Sequence, residues 1–240
     1  MQNKQVTNKQ IITALLIGDG TLQWRPQSSH YRIATISSKV YYEDYHMWKH
    51  QLLVSVFGDK VRICEDKRAK PLLHSWYSNK SKVEPYYKFL YKNVNGVNKK
   101  QIKPFLQRLN HPMCLAIWFM DDGCCAIKKS KRKDGSCKLS FNLELCTHQF
   151  DFNDHEYMVA WFKREFNLTP RIYKQTYRYK GYDESRDQYR LCFSTQESII
   201  LYKLLREYIE PLKSMRHKFR VAYYLVTLEG DPLNTEFEID

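Results

Sequence analysis

Two aspartates, Asp19 and Asp122, each stand between an apolar run and a glycine, and their spacing could support chemistry. The runs Ile12–Gly20 and Leu115–Gly123 both carry Asp in eighth place and Gly in ninth. In a helix, each acid shares a face with apolar residues before it, and the glycine signals the C-terminus. A carboxylate at the negative end of a helix dipole is unfavourable unless a cation offsets it. If the two helices pack side by side, we expect a divalent-metal site there, with a simple helix-end turn as the alternative.

The elements that would position these acids recur in the same order after each run. The acids are 103 residues apart, which sets the length of the repeat. Alternating polar and apolar residues predict strand pairs, and amphipathic stretches predict helices between them. The predicted strands are Thr21–Arg25, His30–Ser37, Lys60–Glu65, Leu72–Ser78, Cys124–Lys129, Cys137–Cys146, Arg171–Tyr179 and Tyr189–Ser194. The predicted helices are Val40–Phe57, Val83–Lys92, Asn153–Phe166 and Glu197–Tyr208, and basic segments at Asn93–Arg108 and Pro211–Phe219 end the two repeats.

Strand pairs interrupted by helices are typical of an α+β fold and not of a parallel sheet. We therefore predict two pseudo-symmetric α-β-β-α-β-β-α halves, packed through the two apolar helices. The expected units are residues 1–109, residues 110–220 and a C-terminal tail at 221–240.

The composition favours a polyanionic partner. The chain has 240 residues and a formal charge of +13, from 39 Lys and Arg against 26 Asp and Glu. Such an excess is typical of proteins that bind nucleic acid. No apolar run reaches the roughly 20 residues of a membrane span, and no signal-peptide pattern opens the chain. We expect a soluble, intracellular protein.

The seven cysteines do not follow a standard metal-binding spacing. None forms a C-x-x-C pair, although Cys124, Cys125, Cys137, Cys146 and His148 could be imagined as a zinc cluster. Ordinary reduced cysteines are the favoured interpretation.

The two nine-residue runs resemble the signature of the LAGLIDADG homing endonucleases, in the single-chain form that carries both motifs. Asp19 and Asp122 match the catalytic acids of that family. Ala14 and Gly18 keep the small residues that let its helices pack closely, whereas the second copy carries Ile117 and Asp121. The resemblance covers nearly the whole chain and implies antiparallel sheets that form a DNA-binding saddle.

The resemblance also implies the site residues. Asp19 and Asp122 would bind two or three Mg²⁺ ions shared with DNA phosphates, with Mn²⁺ as a substitute, and the carbonyls of Gly18 and Asp121 would be further ligands. A basic residue beside the scissile phosphate would neutralise developing charge. The candidates for this role are Lys100 and Lys218, with Lys99 and Arg216 as substitutes and plain phosphate binding as the alternative. Ser38 and His148, after the second strand of each half, would order water or serve as surface turns.

The polar faces of the strands are the expected DNA-reading surface. Cys137–Cys146 alternates between apolar residues and residues of the types that hydrogen-bond base edges in the major groove. An ordinary solvated sheet face is the alternative, and base contacts cannot be told from phosphate contacts. The residues expected to contact DNA are Arg25, Arg32, Lys67, Arg68, Lys128, Lys138, Ser140, Asn142, Glu144, Arg171, Gln175, Arg178, Gln188 and Arg190.

The leading hypothesis is a monomeric, intron-encoded, metal-dependent endonuclease that cuts both strands of a long non-palindromic DNA site and leaves 3′ overhangs. An intron RNA-splicing maturase, with RNA as its partner, and a catalytically inactive DNA-binding regulator are the alternatives on the same fold. An organelle (chloroplast or mitochondrion) and a bacterial cytoplasm both remain open as its origin.

Overall fold

The computed structural model describes residues 5–25, 28–66, 69–131, 137–178 and 185–219, with side chains described outside 128–140 and 177–186. The helices are α1 Asn8–Ile17, α2 Lys39–Phe57, α3 Lys80–Leu90, α4 Ile102–Leu106, α5 Pro112–Asp122, α6 Phe152–Phe166 and α7 Thr195–Ile209. The strands are β1 Thr21–Arg25, β2 His30–Ser38, β3 Arg62–Asp66, β4 Leu72–Ser78, β5 Tyr91–Val94, β6 Val97–Lys100, β7 Gly123–Lys131, β8 Cys137–Leu145, β9 Arg171–Arg178 and β10 Ser185–Cys192. Short 3₁₀ helices cover Gly58–Lys60 and Lys213–Phe219.

The two apolar helices α1 and α5 pack against each other at the centre of the molecule. Their side chains are buried nearly all round, as expected of helices that lie wholly within a core. Each begins at a cap: Thr7 and Gln10 form a capping box on α1, and His111 accepts a hydrogen bond from the Met113 amide at the start of α5. A hydrogen bond of 2.9 Å from Gln10 to Asn110 joins the two N-terminal ends. The two C-terminal ends therefore meet at the opposite side.

Two four-stranded antiparallel sheets extend from the central helix pair. Their strand orders are β1-β2-β4-β3 and β7-β8-β10-β9, so the two sheets have the same topology. One face of each sheet packs on the core through residues such as Leu22, Ile33, Leu143 and Leu191. The predicted α+β class, with repeated strand pairs around two central helices, is confirmed.

The helices after the strand pairs cover the inner faces of the sheets. Helix α2 packs on β2 and β4, where the buried His46 contacts the Ser75 hydroxyl at 2.8 Å. Helix α6 contacts β9 and β10, and it ends at Phe166 as predicted, with Asn167 in the left-handed conformation as its C-cap. Helix α2 also contacts the 3₁₀ segment Lys213–Phe219 of the second repeat. This contact ties the two halves together beside the central helix ends.

The structure differs from the sequence prediction in several elements, of which three bear on the site or its surroundings. Helix α1 ends at Ile17, so Asp19 lies in the turn after the helix and not on its face. Helix α3 spans Lys80–Leu90, because Asn79 caps it earlier than predicted. The basic segment Asn93–Arg108, for which the sequence analysis names no helix or strand, contains most of the β5–β6 hairpin and helix α4.

The hairpin has a sequence signal that the prediction missed. Asn95 and Gly96 both have positive φ angles, 51° and 80°, as a two-residue turn with Asn-Gly at its centre requires. The hairpin matters for the site because it ends at Lys100.

The proposed unit boundaries at 109/110 and 220/221 remain predictions, and the tail at 221–240 lies outside the described residues. Among the helices that the structure describes, none combines the length and apolar character needed to cross a membrane.

Candidate active site

The two motif acids lie at neighbouring helix ends. Asp122 is the last residue of α5, and Asp19 follows α1 by two residues. The indole Nε1 of Trp118, one turn earlier, donates a hydrogen bond of 3.1 Å to the Asp122 carboxylate. Burial, then the negative charges of Asp121 and Asp19, raise the pKa of Asp122 to about 7. Burial of the carboxyl group, followed by the charge of Asp121, also raises the pKa of Asp19. The acids are therefore crowded enough to favour a bound cation.

A lysine from each half binds the carbonyl groups at the end of its own motif helix. Lys100 Nζ donates to the carbonyls of Ile17 and Gly18 at 2.9 and 2.8 Å. Lys218 Nζ donates to the corresponding carbonyls of α5, those of Met120 and Asp121. Burial lowers the pKa of both lysines, and the three acids oppose this effect. The two amines thus occupy matching places, although they lie 81 and 96 residues after their motif acids.

The two substitute candidates lie elsewhere. Lys99 is exposed on β6, one residue from Lys100, where the side chains of a strand point to the opposite face. Arg216 donates from Nε to the Glu210 carbonyl at 2.9 Å. The structure therefore brings Lys100 and Lys218, but neither substitute, to the helix ends.

Asp121 forms a buried network across the interface between the halves. Its carboxylate accepts hydrogen bonds from the Tyr45 hydroxyl at 2.8 Å, from Lys49 Nζ at 3.1 Å and from the backbone N–H of Asp19 at 3.1 Å. The Lys49 and Asp121 side chains are 1% and 0% exposed, so this ion pair is shielded from water. The lack of a side chain at Gly18 leaves space for the Asp121 side chain, because a Cβ on Gly18 would lie 2.5 Å from Asp121 Cβ. From the sequence, only the Asp121 carbonyl was expected to have a role, and the contacts of the Asp121 side chain were not predicted.

A cavity of about 460 Å³ lies beside these acids on the first-half side. Asp19, Asp121 and Lys218 line it, together with Ser38. In each half, the residue two positions after the motif acid pairs with a residue of the second strand. Ser38 and His148 each lie four residues after that pairing partner, so they occupy equivalent places in the two halves. Burial and the nearby charge of Arg190 lower the pKa of His148.

The available donors fit a hard divalent cation. The carboxylates of Asp19 and Asp122 and the carbonyls of Gly18 and Asp121 are all oxygen donors, which Mg²⁺ and Mn²⁺ prefer. Each carbonyl that accepts from a lysine keeps a second lone pair. No group of three or more His, Cys, Asp or Glu in the described part of the chain is arranged to hold a metal. The imagined zinc cluster includes Cys137, whose side chain lies outside the described set, and the six cysteines with described side chains form no disulfide with one another.

Comparisons with known proteins identify the family of the chain. A model described as the LAGLIDADG DNA endonuclease family matches residues 9–208, which is most of the chain. The chain belongs to this family. The resemblance predicted from the two motifs is confirmed, and the solved structures described next have the same fold.

The chain is similar to the homing endonuclease I-WcaI bound to its DNA recognition sequence, with a TM-score of 0.62 and 16% identity over 91% of this chain and 88% of that chain. It is also similar to the LAGLIDADG meganuclease I-AabMI bound to uncleaved DNA, with a TM-score of 0.55 and 12% identity over 93% and 91% of the two chains. Two curated relatives are cytochrome b mRNA maturases bI2. The protein from Debaryomyces hansenii is 25% identical over 85% of this chain and 70% of its own length. The protein from Saccharomyces cerevisiae is 25% identical over 87% of this chain, which spans 46% of that relative.

The second sheet of this LAGLIDADG protein has an outer polar face at the predicted place. The strand register puts Glu144, Arg190, Gln188, Arg171 and Gln175 on the face away from the core. Arg190 forms an ion pair of 3.0 Å with Glu144, and its guanidinium lies 4.6 Å from the centre of the Tyr173 ring. Arg190 is therefore held in place on this face before any partner binds.

Asn142 shares the outer face with Glu144, and the backbone register places Lys128, Lys138 and Ser140 there as well. The side chains of these last three residues lie outside the described set. The DNA contact of Arg178 stays a prediction: the backbone register pairs Arg178 with Ser185, and its side chain lies outside the described set.

The first sheet has a matching outer face. Arg25 and Arg32 lie on it, and the Arg32 guanidinium sits 4.4 Å from the centre of the Trp76 ring. The predicted Lys67 and Arg68 lie outside the described residues. Polar residues on this face that the sequence analysis missed are Gln23, His30, Arg62 and His74. Their signal was available in the period-two alternation of β1 to β4.

Proposed function

We propose that this member of the LAGLIDADG DNA endonuclease family is a monomeric homing endonuclease that cuts both strands of one long, non-palindromic DNA site. The observation that supports this proposal most strongly is that Asp19 and Asp122 lie together at adjacent helix ends. Lys100 and Lys218 each bind the carbonyl groups at the corresponding end of their own motif helix. Two acid–lysine pairs related by a pseudo-twofold suit two phosphodiester bonds on opposite strands. The different residues on the two outer sheet faces suit an asymmetric target, and the cuts would leave 3′ overhangs as the family resemblance implies.

Divalent ions, with Mg²⁺ as the expected ion and Mn²⁺ as a substitute, would supply water activation and charge neutralisation at the scissile phosphates. Asp19 and Asp122, with the carbonyls of Gly18 and Asp121, would hold them. Lys100 and Lys218 would supply positive charge beside each scissile phosphate, where charge develops during hydrolysis. Ser38 and His148 would orient water on each side.

The outer sheet faces would contact the DNA. Arginine and glutamine side chains on these faces can read base edges or bind phosphates. The +13 net charge supports electrostatic attraction to the duplex. Both curated relatives are named for cytochrome b mRNA. Their names support an organelle, and not a bacterium, as the place where this protein is synthesised.

A maturase role is the second candidate, because both curated relatives are named as maturases. It would make intron RNA the partner and would not need the metal-binding acids. A DNA-binding regulator without cleavage is the third. The presence of both acids and both lysines in matching places favours cleavage over either alternative.

The test is cleavage of a randomised duplex DNA library with Mg²⁺ by the wild type, Asp19→Asn and Asp122→Asn. Asp59→Asn is the matched control, since it removes the same charge from an exposed residue in the 3₁₀ helix Gly58–Lys60 that follows α2. We expect discrete double-strand cuts by the wild type and the control, and loss of double-strand cleavage in both motif variants. Salt-sensitive binding to structured intron RNA without DNA cleavage would establish the maturase instead, and sequence-specific DNA binding without cutting would establish the regulator.

A further inference from the structure

The Asp121 network exists on one side of the pseudo-twofold only. The position that corresponds to Asp121 in the first half is Gly18, directly after the end of α1, and it has no side chain. Lys49 lies nine residues before Gly58 at the end of α2, and the residue nine positions before Asn167 at the end of α6 is the buried Met158. Both members of the ion pair therefore have apolar or missing counterparts in the other half.

The network reaches directly to one motif acid. The Asp121 carboxylate accepts the backbone N–H of Asp19 at 3.1 Å, whereas Asp122 is held through its own carboxylate by Trp118. Asp19 lies in a turn beyond the end of α1. Its backbone therefore depends on a partner outside its own helix for its position.

The partner is itself held rigidly. Tyr45 and Lys49 lie one helical turn apart on α2, and both contact the same Asp121 oxygen. The Lys49 ammonium also lies 4.3 Å from the centre of the Tyr45 ring. Because both charged side chains are buried, removing either one alone would leave the other charge buried and unpaired, which would destabilise the protein.

We propose that Asp121 is a positioning residue for Asp19, and that the Lys49–Asp121 pair gives the two strand cuts different sensitivities. The inference rests on the proposed nuclease function. Loss of the Asp121 acceptor should slow the cut served by Asp19 and leave the cut served by Asp122 nearly unchanged. Nicked DNA would then accumulate as an intermediate.

The test compares two variants that both lack the buried charges. Lys49→Met/Asp121→Asn keeps an acceptor for the Asp19 N–H, and Lys49→Met/Asp121→Leu has nearly the same shape without it. The substrate is the duplex recovered from the library, with a different dye on each strand, so that both cuts are followed separately. The strand slowed more by Lys100→Met identifies the cut on the Asp19 side, because Lys100 binds the end of α1.

We expect the Leu variant to shift the ratio of the two strand rates on the order of tenfold against the Asp19 side, as loss of one positioning hydrogen bond would. The ratio of the two strand rates in the Asn variant should stay within about twofold of the wild-type ratio, whatever the change in total activity. If the Leu variant does not fold, Lys49→Met/Asp121→Ala removes the same acceptor with less bulk and should give the same shift.

Equal strand ratios in the Asn and Leu variants, or an equal loss on both strands, would overturn the positioning role while leaving the nuclease intact. A wild type that binds the duplex and cuts neither strand would overturn the nuclease function, and the positioning role with it.

Discussion

The Asp122 carboxyl group shows how the site differs from a simple helix end. It lies among two other acids and near two lysines, and its pKa is raised to about 7 by burial first and by Asp121 and Asp19 next. An acid is protonated below its pKa, and a metal ligand must be deprotonated. If Asp122 holds a divalent cation as proposed, its proton and the cation would compete for the same oxygen atoms.

We predict that the affinity of the protein for Mn²⁺ rises with pH up to about 7 and then levels off. Below that value it should fall by about tenfold per pH unit, because one proton must leave for the ion to bind. Calorimetry between about pH 5.5 and 8.5 measures this. Asp122→Asn should bind the ion weakly with little pH dependence, and a wild-type affinity that does not change over this range would contradict the assignment.

At the scale of elements, the β5–β6 hairpin is the part of the fold that delivers Lys100 to the end of α1. Its turn depends on positive φ angles at Asn95 and Gly96. Open space surrounds Gly96, so a side chain there meets no atoms and only the backbone conformation opposes it. The hairpin can therefore be strained without altering any contact of the site.

We predict that Gly96→Ala lowers the stability of the protein by about 1–2 kcal/mol and slows the cut served by Lys100 more than the other cut. Gly58→Ala is the matched control, because Gly58 also has a positive φ (73°) and open space but holds no lysine at the site. Thermal unfolding and strand-resolved cleavage measure both effects. The same strand bias in both variants would show that general destabilisation, and not the hairpin, controls the Lys100 position.

At the scale of the whole molecule, two sheets present their outer faces from a common pair of central helices. The net charge of +13 gives long-range attraction to DNA, but it does not say which arginines read bases. Exposed Arg171 begins β9 on the outer face and is a candidate for either kind of contact.

We predict that DNA affinity falls steeply with salt, by about 10³–10⁵-fold between 50 and 200 mM, as for proteins with roughly 6–10 phosphate contacts. Arg171→Gln should reduce the salt slope by about 1 if the residue binds phosphate, or relax sequence preference with little change in slope if it reads a base. Lys88→Gln is the control, because Lys88 pairs with Glu84 at 2.9 Å on the outer helix α3. An unchanged slope and preference in Arg171→Gln would remove Arg171 from the interface.

The sequence by itself determined the repeat, the fold class and the two motif acids. These depend on local regularities: helical spacing that ends at a glycine, strand alternation, and a 103-residue interval that repeats both. The same regularities placed Ser38 and His148, because each follows a strand of predictable register. The hairpin before Lys100 had a local signal as well, the Asn95-Gly96 pair, and could have been predicted.

Only the tertiary structure decided which lysines reach the acids and what holds Asp19. Lys100 and Lys218 lie more than 80 residues from their motif acids, and the choice over Lys99 and Arg216 depends on how distant elements pack. The Asp121–Lys49 pair joins residues 72 positions apart across the interface between the halves. No local pattern encodes such a contact, because its geometry depends on the approach of two helices and on the missing side chain of Gly18.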